Sequence, residues 1–445
     1  MKKTNIKFVN HASILINSEV KILSDPWYFG SSFNDGWDLI HETSEIEILE
    51  IINKIDFIYI SHEHPDHFSI GFFLKYKNIL LKKNIKILFQ ETLDKKLIIF
   101  LRRNLFKFIE LKNHQWQELS KTNRVLIGKN GYLDSYLIFD DGKNIILNTN
   151  DCELSETEII KLKKILPLNR KKFLFHQFSF AVWRPDNQWA KKTAQSKFEK
   201  LILLNKILET DFIFPFASFI FFKHKYNFYL NKYALTPKLV STLLSKKGIK
   251  HSFFIPNKTF LILDDVNYAK LKIINSKSIE YWDRKYSQIR CQRYKIAKID
   301  NINEINFSLF FDRIKKNNNL FLLFLLRIIS FKFLFGDIFL KIDGFKYIVK
   351  INFYKYSIVQ GRFYDVRLPY NSFKDMISNP WGVDTISING LFHEGYPGGF
   401  TKLLRSIGFS ALNSHNLGIN FSFFLNLKIF QRSFFYLLRT IKNDK

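Results

Sequence analysis

Ile60-Ser61-His62-Glu63-His64-Pro65-Asp66-His67 is the stretch on which the reading of the whole chain turns. Three of the eleven histidines fall within six positions, with an aspartate between the second and third. Histidines at i and i+2 on an extended segment point the same way and can grip one metal ion. Asp66 and His67 then face the other side and can hold a second ion nearby. Imidazole and carboxylate donors suit zinc, iron or manganese, so the spacing implies one or two divalent ions without choosing among them. A lone histidine is ordinarily a satisfied core or surface residue. A cluster this dense implies a metal.

Working outward, Phe57 to Ile60 reads as a buried strand that stops abruptly at this polar loop. Upstream, Ile6 to Val9, Ser13 to Asn17 and Val20 to Leu23 read as strands, the last running into Asp25-Pro26. Ser44 and Glu47 form a capping box, and Ile48, Ile52 and Ile55 give the helix after it one apolar face. Downstream, strand and helix patterns alternate to about residue 265, the signature of a layered α/β core. Leu133 to Phe139 and Ile145 to Thr149 predict a hairpin across Asp140-Asp141-Gly142, and Ala194 to Leu208 predicts an amphipathic helix. Beyond Tyr268 the chain turns to aromatic strand-like runs with an Asn-rich break at Asn317 to Asn319. The expected division is therefore a metal-binding domain over 1–265 and a C-terminal α/β region over 266–445.

Composition narrows the function classes. A chain of 445 residues that is 47% hydrophobic and 17% aromatic has ample material for two or three domains and is neither disordered nor collagen-like. Two cysteines, Cys152 and Cys291, cannot build a disulfide framework, a four-cysteine zinc site or an iron–sulfur cluster, and they suit a reducing cytoplasm. The formal charge of +28 comes mostly from Lys in a chain also rich in Ile, Asn and Phe, as an AT-rich genome would encode. No helix-turn-helix, zinc-finger or ribonucleoprotein signature accompanies it, so no nucleic acid is expected and a small anionic substrate is. Met1-Lys2-Lys3 runs into a polar-interrupted strand rather than a signal core, which sets a cytoplasmic expectation. Leu320 to Leu340 is broken by Arg327, Lys332 and Asp337 and reads as core or interface rather than a membrane span. The basic, Phe-rich tail from Phe421 to Lys445 suits either peripheral contact with an anionic membrane or a terminal helix docked on its own domain.

The pattern His-x-His-x-Asp-His after a strand resembles the metal-binding signature of the metallo-β-lactamase superfamily. That resemblance implies a four-layer αββα sandwich. It also implies that Asp25, in Leu23-Ser24-Asp25-Pro26, is a buried group that orients the histidine loop rather than a ligand. Asp151, in Asn148-Thr149-Asn150-Asp151-Cys152, matches the bridging aspartate, and His224, after the run Phe214 to Phe222, matches the last histidine. The implied ligands are His62, His64, Asp66, His67, Asp151 and His224. Asn10-His11-Ala12, Asp25-Pro26-Trp27, Gly36-Trp37-Asp38-Leu39-Ile40-His41-Glu42, Leu147 to Cys152 and Pro215-Phe216-Ala217-Ser218-Phe219 narrow the resemblance to the CMP-N-acetylneuraminate hydroxylases. Pro380-Trp381-Gly382-Val383-Asp384-Thr385-Ile386-Ser387-Ile388 is similar as well. That family carries a Rieske domain, which needs two Cys-x-His-type pairs, and this sequence has neither. The family also has a histidine shortly before the aspartate matched by Asp134. Here Asn130-Gly131-Tyr132-Leu133 has none, which leaves Asp134, His114 or His176 to take its place.

The remaining candidates each carry two readings. His11 and His41 either line the pocket or satisfy buried backbone groups, and His114 beside Trp116 reads as surface or packing. His176 begins a segment that departs from the family's glycine-rich pattern. Arg184 and Lys223 either pair with a substrate phosphate or carboxylate or are solvated charges. Cys152 reads as a packing residue. The first functional expectation is a metal-dependent hydrolase acting on an anionic substrate, a nucleotide sugar or phosphodiester, with Asp66 or Asp151 taking a proton from metal-activated water. The alternative is an iron-dependent oxygenase that draws electrons from a separate redox protein. A third reading is a non-catalytic nucleotide-sugar or carbohydrate-binding protein.

Overall fold

In the N-terminal strands, alternate side chains go to different cores. The computed structural model describes residues 3–92, 95–131, 133–415 and 418–421. Strands β1 (Asn5–Asn10), β2 (Ser13–Asn17) and β3 (Lys21–Ser24) form an antiparallel meander. A short β4 (Trp37–Leu39) precedes helix α1 (Glu45–Ile52), whose Ser44–Glu47 capping box is formed as its sequence predicts. Strand β5 (Phe57–Tyr59) then pairs parallel to β3, followed by β6 (Lys86–Gln90) and β7 (Lys107–Leu111). With β15 (Phe260–Ile262) at the far edge, the sheet order is β15-β1-β2-β3-β5-β6-β7. Ile14, Ile16, Ile22, Tyr59 and Leu88 point into one core, whereas Leu15, Leu23, Ile58, Ile87 and Phe89 point into another. The second core is closed by α1, α2 (Ile70–Lys75), α3 (Lys77–Lys82) and α4 (Lys96–Arg103).

The first core is shared with a second sheet built from β8 (Trp116–Glu118), β9 (Arg124–Asn130), β10 (Asp134–Asp140), β11 (Asn144–Asn150), β12 (Lys171–Gln177) and β13 (Phe212–Phe216). All seven residues of β11 are buried, as a central strand covered on both faces requires. Its outer cover is α5 (Glu156–Ile165), α6 (Asn187–Leu208), α7 (Pro237–Lys246) and α8 (Tyr268–Ser287), which contribute Leu162, Leu201, Val240 and Trp282 to the same core. Helix, sheet, sheet, helix is the expected four-layer αββα order. Helix α6 starts seven residues before the predicted Ala194, because Asp186 caps it by accepting from the Trp189 N–H.

One expected strand is broken. The run Phe214 to Phe222 reads as continuous in sequence, yet Ala217 takes a left-handed φ of 52° and separates β13 from β14 (Ile220–Phe222), which pairs antiparallel with β4.

The chain divides into two compact units. The first comprises residues 1–32, 37–222 and 230–290, and the second residues 33–36, 223–229 and 291–445. The main boundary thus falls after Arg290 rather than at 265, because α8 buries Leu271 and Trp282 in the first unit's core. The second unit is α/β. Its sheet comprises β16 (Ile338–Ile342), β17 (Ile348–Ile351), β18 (Tyr356–Val359), β19 (Val366–Leu368) and β20 (His393–Glu394) in the order β18-β17-β16-β19-β20. Helices α9 (Phe307–Asn317), α10 (Leu320–Ile329), α11 (Tyr370–Ser378), α12 (Gly382–Asn389) and α13 (Gly399–Ile407) accompany it. Among the described residues no helix is long and apolar enough to cross a membrane. Apart from Phe421, the tail read as a membrane-contact segment lies outside the described residues.

Candidate metal centre

Parallel strands place their carboxyl ends on one edge, and the loops leaving β1, β3, β5, β11 and β12 meet there. Three non-glycine residues at these exits take left-handed φ angles: His11 at 34°, Asp25 at 37° and Asn150 at 34°. Such conformations cost of order 1–3 kcal/mol each and persist where the surroundings over-determine them.

Asp25 shows how. It is 1% exposed. Its Oδ1 accepts the Ser61 N–H at 2.8 Å, and its Oδ2 accepts the Ser61 hydroxyl at 2.8 Å and His67 Nδ1–H at 3.0 Å. The carboxylate thereby fixes the first residue of the histidine loop and turns His67 Nε2 outward. Ser61 Oγ also lies 3.0 Å from His62 Nδ1, which leaves His62 Nε2 facing His64 Nδ1 at 2.8 Å. Holding one ring nitrogen so that the other faces an ion is how ligand histidines are oriented.

Three groups of donors result, each with its ligand atoms within 4.8 Å of one another: His62, His64 and Asp134; His62, His67 and Asp151; and His11, Asp66 and His67. Asp151 lies between the first and third, its Oδ2 3.8 Å from His62 Nε2 and 3.7 Å from His67 Nε2. Asp134, at the start of β10, is the third donor of the first group.

Electrostatics mark the same cluster. Burial pushes His62 down to about 3, His64 to about 4 and His11 well below the usual imidazole range, with neighbouring histidines adding to each shift. Burial raises Asp66 and Asp134 to about 6, the latter reinforced by Asp151. His67 goes the other way. Burial opposes its charge, but Asp151, Asp66 and Asp25 together raise it to about 10. Asp151 is held below the usual carboxylate range by His62, His67 and Lys197, against the opposing effect of burial.

The residues fit a bound cation. Asp66 Oδ1, Asp151 Oδ1, both ring nitrogens of His11 and Nε2 of His176 are buried without a hydrogen-bond partner among the described residues. Each unpaired atom costs about 1–3 kcal/mol. Divalent ions would satisfy those in the ligand groups and offset the crowding of carboxylates and imidazoles.

Other expected site residues are in none of the three groups. His224, expected as a ligand, belongs to the second unit. There Asn227 Oδ1 accepts its backbone N–H at 3.0 Å, its Nδ1 accepts the Tyr226 N–H at 3.2 Å, and its ring packs on Tyr294. His41 Nδ1 is 2.6 Å from the Tyr281 hydroxyl and joins none of the ligand groups. His114 Nε2 lies 3.0 Å from the Tyr136 hydroxyl. His176 is buried at the end of β12, with Nδ1 3.0 Å from Thr149 Oγ1, outside the three groups. Arg184 directs Nε to Thr193 Oγ1 and Nη1 to the Trp183 carbonyl, which ties down its own segment. Lys223 pairs with Asp35 at 3.1 Å. Lys197, which sequence reasoning passed over as one lysine among many, is only 15% exposed and pairs with Glu153. Its effect on Asp151 puts a cation beside the centre. Cys152 is fully buried in the apolar core, as a packing residue should be.

Taken together, the αββα sandwich and a histidine–aspartate cluster at its strand ends are those of the metallo-β-lactamase fold. Within that fold, the sequence is similar to cytidine monophosphate-N-acetylneuraminic acid hydroxylase. Identity is 29% over 158 residues with the Asterias rubens enzyme, covering 34% of this chain and 23% of the relative. It is 30% over 162 residues with that of Mus musculus, covering 34% and 26%, and 25% over 246 residues with that of Pan troglodytes, covering 52% and 40%. The chain thus spans about a quarter to two fifths of the length of these curated relatives. No family model matches it. Among solved structures, it is similar to CmlA, a diiron β-hydroxylase from Streptomyces venezuelae, at 15% identity and a TM-score of 0.43, covering 59% of this chain and 55% of that one. It is similar to the short form of human tRNase Z at 11% identity and a TM-score of 0.34, covering 48% and 92%. The named relatives are enzymes.

Proposed function

We propose that the chain is an iron-dependent oxygenase that hydroxylates a small anionic substrate, of which a nucleotide sugar is the first candidate. The observation that carries this reading is the donor set. Asp134 gives the His62–His64 pair a carboxylate third donor, and each of the three groups is two histidines with one aspartate. Two imidazoles and a carboxylate with open positions is a set that suits non-haem iron in oxygen chemistry, as it also suits catalytic zinc. Similarity to curated hydroxylases over a third of the chain supports the same direction.

When bound, iron would supply the capacity to activate oxygen. His62, His64 and Asp134 would hold one ion and Asp66 and His67 a second, with the Asp151 carboxylate beside both His62 and His67. Asp25 keeps His67 Nε2 aimed at the centre. Hydroxylation consumes the substrate C–H, O₂, two electrons and two protons and yields C–OH and water. The electrons would come from a separate redox protein of the ferredoxin or Rieske class.

Hydrolysis is the second reading, and Asp66 favours it. Its carboxylate stands among the donors of an ion site, and a carboxylate there can take a proton from metal-activated water where it is not itself bound to the ion. Protein purified under nitrogen and analysed for metal, then given substrate, reductant and O₂, separates the two. Bound iron and substrate-dependent oxygen uptake support the oxygenase. Zinc, with release of phosphate or sugar from anionic esters in the absence of O₂, overturns it in favour of the hydrolase.

A further inference from the structure

His11 belongs to the third donor group, yet the assignment of ions given above, with Asp66 and His67 on the second, leaves it without a stated role. It lies at the end of β1, just after an irregularity in the β1–β2 register between Phe8 and Asn10. Bulges of this kind re-aim a side chain next to a functional site. The residue is clamped on both sides. Its N–H donates to Asn10 Oδ1 at 2.9 Å, and its carbonyl accepts the Ala217 N–H at 2.8 Å. Asn10 is itself held, donating to the His41 carbonyl at 2.9 Å and to Thr43 Oγ1 at 3.0 Å. The left-handed φ of 34° is therefore maintained by the adjacent Asn10 and by partners drawn from two other segments.

That clamp presents a ring that is 2% exposed and has no hydrogen-bond partner on either nitrogen among the described residues. Its edge meets Trp27 and His67, at ring-centroid distances of 5.4 and 5.8 Å, and Nε2 stops 3.8 Å from Asp66 Oδ2. That separation is too long for a hydrogen bond, yet the two atoms are close enough to share one ion. A packing histidine in this position would pair at least one nitrogen.

We infer that His11 is a ligand of the second metal ion, completing with Asp66 and His67 the shell for which the sequence pattern nominated His224. The inference rests on the reading of the cluster as a metal centre. It ties the second ion to the first strand, through Asn10 and Ala217, rather than to a late strand end. Sequence reasoning left His11 open between pocket lining and backbone satisfaction, because nothing local says that β13 bends at Ala217 to brace it.

The full chain loaded with cobalt(II) under nitrogen tests this. Elemental analysis after desalting should find about two equivalents on the wild type and about one on His11→Ala. His11→Gln, whose amide can reach Asp66 without offering an imidazole, should also fall to about one. Circular dichroism of the metal-free proteins checks that the variants fold. Equal loading of folded His11→Ala and wild type overturns the inference, as does a wild type that takes up only one equivalent. If neither variant folds, the wild type still decides. With ¹⁵N-histidine labelling, cobalt should produce four strongly contact-shifted imidazoles, from His11, His62, His64 and His67, and three overturn the assignment. Native metal identity is a separate readout. Zinc in place of iron would sink the oxygenase reading and leave this ligand assignment standing.

Discussion

Two segments with similar claims to the metal in sequence end in different places. The loop after β5 carries His62, His64, Asp66 and His67, and its side chains are oriented from outside by Asp25, a residue on another strand. The segment after β14 carries His224, which is fixed by its own neighbours, Tyr226 and Asn227, and packs on Tyr294 in the second unit. A ligand needs one nitrogen held and the other presented to the centre. The loop achieves this by borrowing a distant carboxylate, whereas the later segment uses its ring for local structure. Proximity to a strand end therefore does not make a ligand unless the strand runs to the right edge.

The largest expected effect breaks that comparison most directly. His62→Ala removes a donor shared by two of the three ligand groups and leaves the third intact, so bound metal should fall from about two equivalents to about one by elemental analysis. His224→Ala should retain the full wild-type complement. A full complement kept by folded His62→Ala, or metal lost from His224→Ala, would reverse the assignment of the two segments.

Next in size is the difference between the two anchors. Asp25→Asn keeps the volume but replaces a carboxylate that accepts three hydrogen bonds with an amide that has one acceptor oxygen. Metal affinity should weaken about 10–100-fold in chelator competition, as for other residues that orient ligand histidines. Asn227→Ala removes the anchor of the His224 segment and leaves buried groups unpaired, since its Nδ2 donates to the Gly36 and Asn389 carbonyls. It should cost about 1–3 kcal/mol of stability with metal affinity unchanged.

What was readable in the sequence follows the same division. The histidine loop was legible because its ligands sit at i and i+2 on one short segment, and Asp25 because it ends a strand in a recognisable Asp-Pro. Asp134 was legible as one of several substitutes, but choosing it required the β9–β10 hairpin to bring it beside His62 and His64. The run Phe214 to Phe222 was read as one strand because a single left-handed alanine inside it leaves no mark in the hydrophobic pattern. The 265 boundary failed for a related reason: α8 follows a change in composition, yet its apolar face belongs to the core before it. Local periodicity was readable. Which distant surfaces the elements joined was not.

The ionisation of the cluster adds a pH test of smaller reach. A metal must displace the proton from His67, whose pKa is raised to about 10, so binding at neutral pH should release a proton to an indicator dye. Apparent affinity should fall about tenfold per pH unit on descending from 9 to 7, and more steeply below about 6, where Asp66 and Asp134 also take up protons. The sign follows because each group binds metal only when deprotonated. His224→Ala should leave this profile unchanged. Affinity independent of pH between 9 and 7 would mean that binding displaces no proton from His67.

The smallest effect tests the bend that separates β13 from β14. At Ala217 the left-handed backbone costs an L-residue about 1–2 kcal/mol, which glycine would recover. Glycine would also lose about 0.5–1 kcal/mol to the greater freedom of its unfolded chain, and about 0.8 kcal/mol with the buried methyl. These nearly cancel, so Ala217→Gly should change stability by less than about 1 kcal/mol in denaturant titration and leave metal content intact. Ala190 is equally buried but lies in the right-handed backbone of α6. There the same substitution recovers nothing and should cost about 1.5–2 kcal/mol. Equal losses at the two positions would show that Ala217 is not held in the left-handed region, and the reason given for the break between β13 and β14 would fall with it.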